Sequence, residues 1–301
     1  MKVLILKLGA TGDVVRTTTL LRGFGGDVTW VTASKNVALL RGIDFCVRSL
    51  SWEEREQVRD TEYDLAINLE DTLDVAEFLA SVRTKQIFGA YSDGDSALRY
   101  TDDCQKWFDL SLISKFGRQK ADELKYLNRR TYQELIFEGL GLRFKGQAYV
   151  LPEPPETDLS GDIAIAAESG PVWPMKKWAY YEELKQRLET DGFTVNYLPQ
   201  RKTLLEHLSD VRNHRFLIGG DSLPMHFALG MQVPCVSIFT CTSPWEIHDY
   251  GIQTKIISPL LGEFFYKRGF DPRATEANSL DEVYSAVQEQ LAQYAQPVGI
   301  S

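Results

Sequence analysis

What the chain has little of narrows its class. Among its 301 residues no apolar run approaches the ~20 needed to cross a bilayer, so a membrane-spanning protein is not expected. Strand-like residues begin at Lys2, which leaves no stretch that reads as a secretory signal peptide. The cysteines, Cys46, Cys104, Cys235 and Cys241, have no CxxC spacing. Without an export signal they are expected as reduced thiols, and a cytoplasmic location follows as an expectation. Positive charge is scarce too, with a formal net charge of −9. Residues 1–150 carry 21 Lys and Arg against 22 Asp and Glu; the remainder carries 12 against 20. Neither half has the basic excess of a nucleic-acid partner. The near-neutral first half suits an anionic ligand better than the acidic second half. No short-period repeat or low-complexity segment is present.

Present instead is an alternation of strand-length apolar runs with helical patterns. In the first half strands are expected at residues 2–8, 27–32, 64–69 and 86–91, and helices near 14–24, 33–41 and 72–82. Such βα alternation implies a parallel sheet covered by helices on both faces. From Ser92 to Lys120 the pattern breaks down into a polar stretch that still carries Tyr100, Trp107 and Phe108. A long irregular loop in a compact domain is usually functional or mobile. Residues 121–139 then read as one long helix. The segment "LPEPPETDLSG", 151–161, has three prolines and no periodicity, and 151–160 is expected as an interdomain linker. A second series follows. Its strands are expected at 163–168, 194–198, 216–219, 234–240 and 254–258, and its helices at 179–191, 203–211, 224–230 and 280–294. The expectation is α/β throughout: two Rossmann-like domains, 1–150 and 161–301, with ligands at the carboxyl ends of the strands, facing a central cleft.

Three strand-to-helix turns could carry chemistry. The first, Gly9-Ala10-Thr11-Gly12-Asp13, reads GxxGD rather than GxGxxG, and no acidic residue is convincingly placed ~20 residues on. A dinucleotide site is therefore disfavoured. Asp13 lies where a helix begins, so a helix N-cap is its plain structural role. The second, "FLIGGDSLPMHFALG", runs from a buried strand through Asp221 and Ser222 into a helix with Pro224 in its first turn and His226 about one turn in. The N–H groups of Ser222 and Leu223 would point out of that helix start, where partial positive charge binds phosphate. An ordinary βαβ unit is the alternative. The third, "SGPVWPMKKW", puts Lys176 and Lys177 before Trp178. A lysine there can reach a phosphate as a point charge, or be solvated. "SDGDS", 92–96, looks like a metal-binding DxD but has no histidine near and is read as turn chemistry, so no metal is expected.

Together "LILKLGATGDVVRTTTLL", "WPMKKW" and "GGDSLPMHFALGMQVPCVSIF…SPWEIHDYG" resemble, in order and position, glycosyltransferase family 9, the ADP-heptose:lipopolysaccharide heptosyltransferases and their relatives. The resemblance covers most of the chain and is strongest over the first ~20 residues and at 216–251. It implies a GT-B fold, with an acceptor-binding first domain and a donor-binding second domain. It makes Asp13 the general base. Lys176, Asp221, Ser222, Leu223 and His226 become the residues that hold the donor diphosphate. Lys7, Arg16, Trp107, Arg118 and Lys120 are the candidates for acceptor binding. The implied reaction is an inverting, metal-independent transfer of heptose from ADP-heptose to a hydroxyl of a saccharide or glycolipid, without a cofactor. Lipopolysaccharide biosynthesis, with peripheral membrane contact, is the implied setting. A carboxylate takes the acceptor proton, while Lys176 and the helix start meet the charge on the departing diphosphate. The start of a helix also lowers the pKa of Asp13, which keeps it ionised but weakens it as a base. The sequence departs from the family pattern in two places. Residue 19 is Thr where many relatives have Pro, and after Tyr197-Leu198-Pro199 the second domain is short by one βα unit that usually supplies an acidic ribose contact. Glu206 is the stand-in candidate. Two other classes stay open: a non-catalytic sugar-nucleotide-binding protein, and a GT-B sugar-nucleotide epimerase.

Overall fold

The computed structural model describes residues 1–108 and 113–295. Contacts divide the chain into two units, Met1–Glu153 and Pro154–Ser301.

The first unit is built on β1 (Lys2–Leu6), β2 (Asp27–Thr32), β3 (Val47–Ser51), β4 (Leu65–Asn68), β5 (Ile87–Tyr91) and β6 (Arg99–Tyr100). Their order is β3-β2-β1-β4-β5-β6, parallel except for the antiparallel β5–β6 pair. Alternation along β1 feeds two cores. Val3 and Ile5 pack with Trp30, Ile67 and Phe88 on one face, and Leu4 and Leu6 pack with Val31, Tyr63 and Leu79 on the other. Each buried Leu or Ile contributes ~1.5–3 kcal/mol of transfer free energy. Helix α1 (Thr11–Thr17) continues as a 3-10 turn, Thr18–Arg22. Helix α2 is Leu73–Ala80.

Several local expectations are corrected. Residues 34–40 form a 3-10 turn, not an α-helix. The single helix expected at 121–139 is two, α5 (Arg118–Leu127) and α6 (Tyr132–Gly139). Between them Thr131 and Glu134 make a capping box that restarts the helix, each satisfying a backbone N–H the new helix start would leave unpaired. The stretch from 92 to 120 is less irregular than expected. It contains β6, α3 (Gln105–Phe108) and α4 (Ile113–Phe116), and Trp107 is buried in the core. Residues 109–112 of it lie outside the described residues.

The second unit has β7 (Gly161–Ala166), α7 (Tyr181–Thr190), β8 (Val195–Tyr197), α8 (Leu204–Arg212), β9 (His214–Gly220), α9 (Leu223–Met231), β10 (Cys235–Phe239) and β11 (Gln253–Ile257). Short helices α10 (Leu261–Phe264) and α11 (Pro272–Glu276) precede α12 (Leu280–Ala295). The sheet order β11-β10-β9-β7-β8 is wholly parallel. Its core joins Ile163 and Ile165 of β7, Phe216 and Ile218 of β9, and Val283 and Val287 of α12. Among the described residues no helix is long and apolar enough to cross a membrane.

Candidate active site

In a doubly wound sheet the strand order reverses at one point, and a crevice opens outside the carboxyl ends there. In the first unit that point lies between β1 and β4. It holds a cavity of about 370 Å³ whose lining includes Lys7, Asp13 and Arg16 from the chain after β1, and Glu70 and Asp71 from the chain after β4. Trp107, Lys125 and Tyr132 complete the wall.

Asp13 is the third residue of α1. The N-cap is Ala10, which makes no side-chain bond, so the capping role open to Asp13 in the sequence is not the one it plays. Its carboxylate instead meets Arg16 one turn on, Oδ1 to Nη2 at 2.8 Å, and a third of its side chain (34%) remains exposed. The Arg16 guanidinium lies over the Tyr132 ring, 4.0 Å from its centre. Thr17 donates to the Asp13 carbonyl at 2.6 Å, and the Tyr132 hydroxyl is 2.7 Å from Thr17 Oγ1. Trp107 packs edge-on against Tyr132 at 5.7 Å.

Lys7 is buried, and its Nζ donates to Glu70 Oε1 at 2.9 Å. Burial alone would lower its pKa; Glu70 and Asp13 outweigh that and hold it above the ordinary lysine value. Of the five candidate acceptor residues, the fold brings Lys7, Arg16 and Trp107 to this cavity. Arg118 and Lys120 are exposed on the first turn of α5 and are not among its lining residues; Lys125, further along the same helix, is. Glu70 and Lys125 escaped notice in the sequence. The only signal was a carboxylate two residues past a strand end for one, and a helical position one and a half turns from Lys120 for the other.

In the second unit the reversal lies between β7 and β9. Lys176 ends a 3-10 turn, Pro174–Lys176, in the chain after β7. Its Nζ donates to the carbonyl of Asp221 at 2.7 Å and to Asp221 Oδ2 at 2.9 Å. Both side chains are mostly buried, at 17% and 16% exposure. Gly220 permits this approach, since a Cβ there would stand 2.9 Å from the Lys176 carbonyl oxygen. Burial pushes the Asp221 carboxyl up, but the Lys176 ammonium, His226 and the hydrogen bond from Lys176 bring it down to about 2. Ser222 is the N-cap of α9 and makes no side-chain cap bond. Leu223 opens the helix, and His226 is buried one turn in. Glu206 is engaged elsewhere, in a capping box with Thr203 at the start of α8.

A further cavity of about 470 Å³ adjoins the Lys176 turn, with Ser169, Gly170, Lys177, Trp178 and Phe270 in its wall. Among the described residues no group of three or more His, Cys, Asp or Glu is arranged to hold a metal ion.

The arrangement at Lys176, Asp221 and α9 falls inside residues 173–263, which match the model of glycosyltransferase family 9 (heptosyltransferase). Residues 173–263 place this part of the second unit in glycosyltransferase family 9. The whole chain is similar in fold to solved GT-B structures. E. coli heptosyltransferase WaaC with ADP-2-deoxy-2-fluoro heptose aligns at 15% identity, covering 96% of this chain and 99% of that one, TM-score 0.63. E. coli ADP-heptose lps heptosyltransferase II aligns at 15% identity over 98% and 100%, TM-score 0.67. The family 9 glycosyl transferase of Veillonella parvula aligns at 15% identity over 97% of each chain, TM-score 0.66. No curated protein sequence matches the chain.

Proposed function

We propose that this glycosyltransferase moves heptose from ADP-heptose to a hydroxyl of a saccharide or glycolipid, with inversion and without metal. The observation that carries the reading is that each unit holds a charged group at its own switch point. A part-exposed carboxylate, Asp13, stands at the switch point of the first unit, and a mostly buried lysine paired with Asp221, Lys176, stands with the start of α9 at that of the second. Asp13 takes the proton from the acceptor hydroxyl. Lys176, the N–H groups of Ser222 and Leu223, and His226 meet the negative charge that grows on the departing diphosphate. Arg16 and Lys125, against the Trp107 and Tyr132 walls, receive the acceptor. Two solved neighbours support the donor: E. coli WaaC was captured with ADP and with ADP-2-deoxy-2-fluoro heptose. Cytoplasmic work in lipopolysaccharide assembly, with peripheral contact to the membrane that carries a glycolipid acceptor, completes the reading.

A thermal-shift series tests the donor assignment, because a ligand that binds only the folded state raises its stability by mass action. ADP should raise the melting temperature more than GDP or UDP, in the presence of EDTA. A preference for UDP, or a need for Mg²⁺, would overturn the assignment.

A further inference from the structure

Glu70 lines the first cavity beside Asp13 and has no part in the reaction as described. Its position is unusually constrained. Oε1 accepts from Lys7 Nζ at 2.9 Å, from the Leu8 amide at 2.7 Å and from the Gly9 amide at 3.3 Å. The Glu70 amide donates to Asn68 Oδ1 at 3.1 Å, and Asn68 Nδ2 donates to the Ala90 carbonyl at 2.8 Å. One oxygen therefore ties the end of β1 to β4, and through Asn68 to β5. The tied residues, Leu8 and Gly9, lead directly into α1, the helix that carries Asp13.

Charge gives the same carboxylate a second role. Lys7 is buried beneath the cavity, also donating to the Leu69 carbonyl at 3.4 Å, and its charge is felt at Asp13. An uncompensated ammonium there would favour the ionised form of Asp13 and weaken it as a base. We propose that Glu70 is the positioning residue of this cavity: it fixes the turn that delivers Asp13, and it neutralises Lys7 so that Asp13 keeps its strength as a proton acceptor. The inference rests on the reading of Asp13 as the general base.

The charged and titratable groups around Asp13 come from five places. They are Lys7 after β1, Arg16 on α1 itself, Glu70 and Asp71 after β4, Lys125 on α5 and the Tyr132 phenol on α6. Of these, Glu70 bonds Lys7, so a charge cycle on that pair isolates its effect. The readout is the ¹³Cγ titration of Asp13, assigned by its loss in Asp13→Asn, and it requires no acceptor. Glu70→Gln keeps an acceptor oxygen but strands the ammonium, and should lower the Asp13 midpoint by about one pH unit. Lys7→Met leaves the Glu70 anion alone and should raise it. The double variant Lys7→Met/Glu70→Gln should return it near the wild-type value, and its neutral pair should fold if either single variant does not. ADP release from ADP-heptose, with a deacylated lipopolysaccharide core as acceptor, should fall about tenfold in kcat for Glu70→Gln with the donor KM unchanged. An Asp13 midpoint that stays put in both single variants, or a double variant that does not return, overturns the proposal. Retained turnover in Asp13→Asn would instead defeat the general-base reading, and the titrations would still decide the role of Glu70.

Discussion

In the first unit a lysine after β1, Lys7, is held by a carboxylate that follows the neighbouring strand β4; in the second, Lys176 after β7 is held by Asp221, which follows the neighbouring β9. Each pair therefore spans the switch point of its own sheet. The difference lies in what the following helix brings. Helix α1 carries an acid at its third residue, and that acid keeps a third of its side chain exposed. Helix α9 begins Ser-Leu-Pro and places His226 one turn in. The first site thus offers a carboxylate over a neutralised pair, the second a helix start and a histidine beside one. On the proposed function, the same scaffold position serves as a proton acceptor in one unit and an anion holder in the other according to three or four side chains, as expected where function is grafted onto a common fold.

Removing the offered carboxylate should break the contrast most sharply. Asp13→Asn should cut transfer by ~10²–10⁴-fold. The melting temperature should stay near the wild-type value, since Asp13 is not the N-cap of α1, a third of its side chain is exposed, and Asn keeps its shape. Rate per folded molecule and melting curve, measured on one preparation, decide it. A sharp stability loss with an unchanged rate would make Asp13 structural.

Next in size is Lys176→Ala. It strands a buried carboxylate, and breaking such a pair typically costs ~3–5 kcal/mol, so both stability and ADP affinity should fall. Lys176→Met/Asp221→Asn should recover most of the stability and none of the ADP affinity. Denaturant midpoints and ADP titrations of the two variants separate the roles. Recovered affinity would place the diphosphate elsewhere.

The smallest effect is an acid-side pH dependence at the second pair. Asp221 is held at about 2 against the ordinary carboxylate value of 3.8. A carboxyl depressed on folding adds stability that is fully present above the unfolded pKa and is lost as pH falls through the folded one. The window is therefore roughly pH 5 down to 2, worth about 2 kcal/mol. Denaturant melts of the wild type and of Asp221→Asn across that range should converge toward the acid end. Parallel curves would show that Asp221 makes no such contribution.

The βα alternation was readable because buried parallel strands are continuous apolar runs. "VLILK" and "FLIGG" announce β1 and β9 without help from distant residues. Strand β3, "VRSLS", carries no apolar run because it is an edge strand whose first three residues are partly buried or exposed. The break between α5 and α6 is written in Thr131-Tyr132-Gln133-Glu134, a capping-box pattern masked by apolar periodicity on both sides. Asp13, Lys176 and Asp221 stood out because each sits in a turn with its own signature. Glu70 did not, since its meaning depends on lying beside Lys7, 63 residues away in the chain. That adjacency exists only once β1 and β4 are known to be neighbours.

Gly220 has a consequence for sequence drift. A methyl group there would press on the Lys176 carbonyl from 2.9 Å, and the obstacle is backbone, which cannot swing aside. At Gly9, beside the first cavity, an added methyl would meet nothing within 4 Å. Two glycines that look alike in the sequence therefore differ in what an added methyl would meet. The one at 9 is free to vary as far as local space is concerned, and the one at 220 is confined to a single codon family by a carbonyl 44 residues upstream.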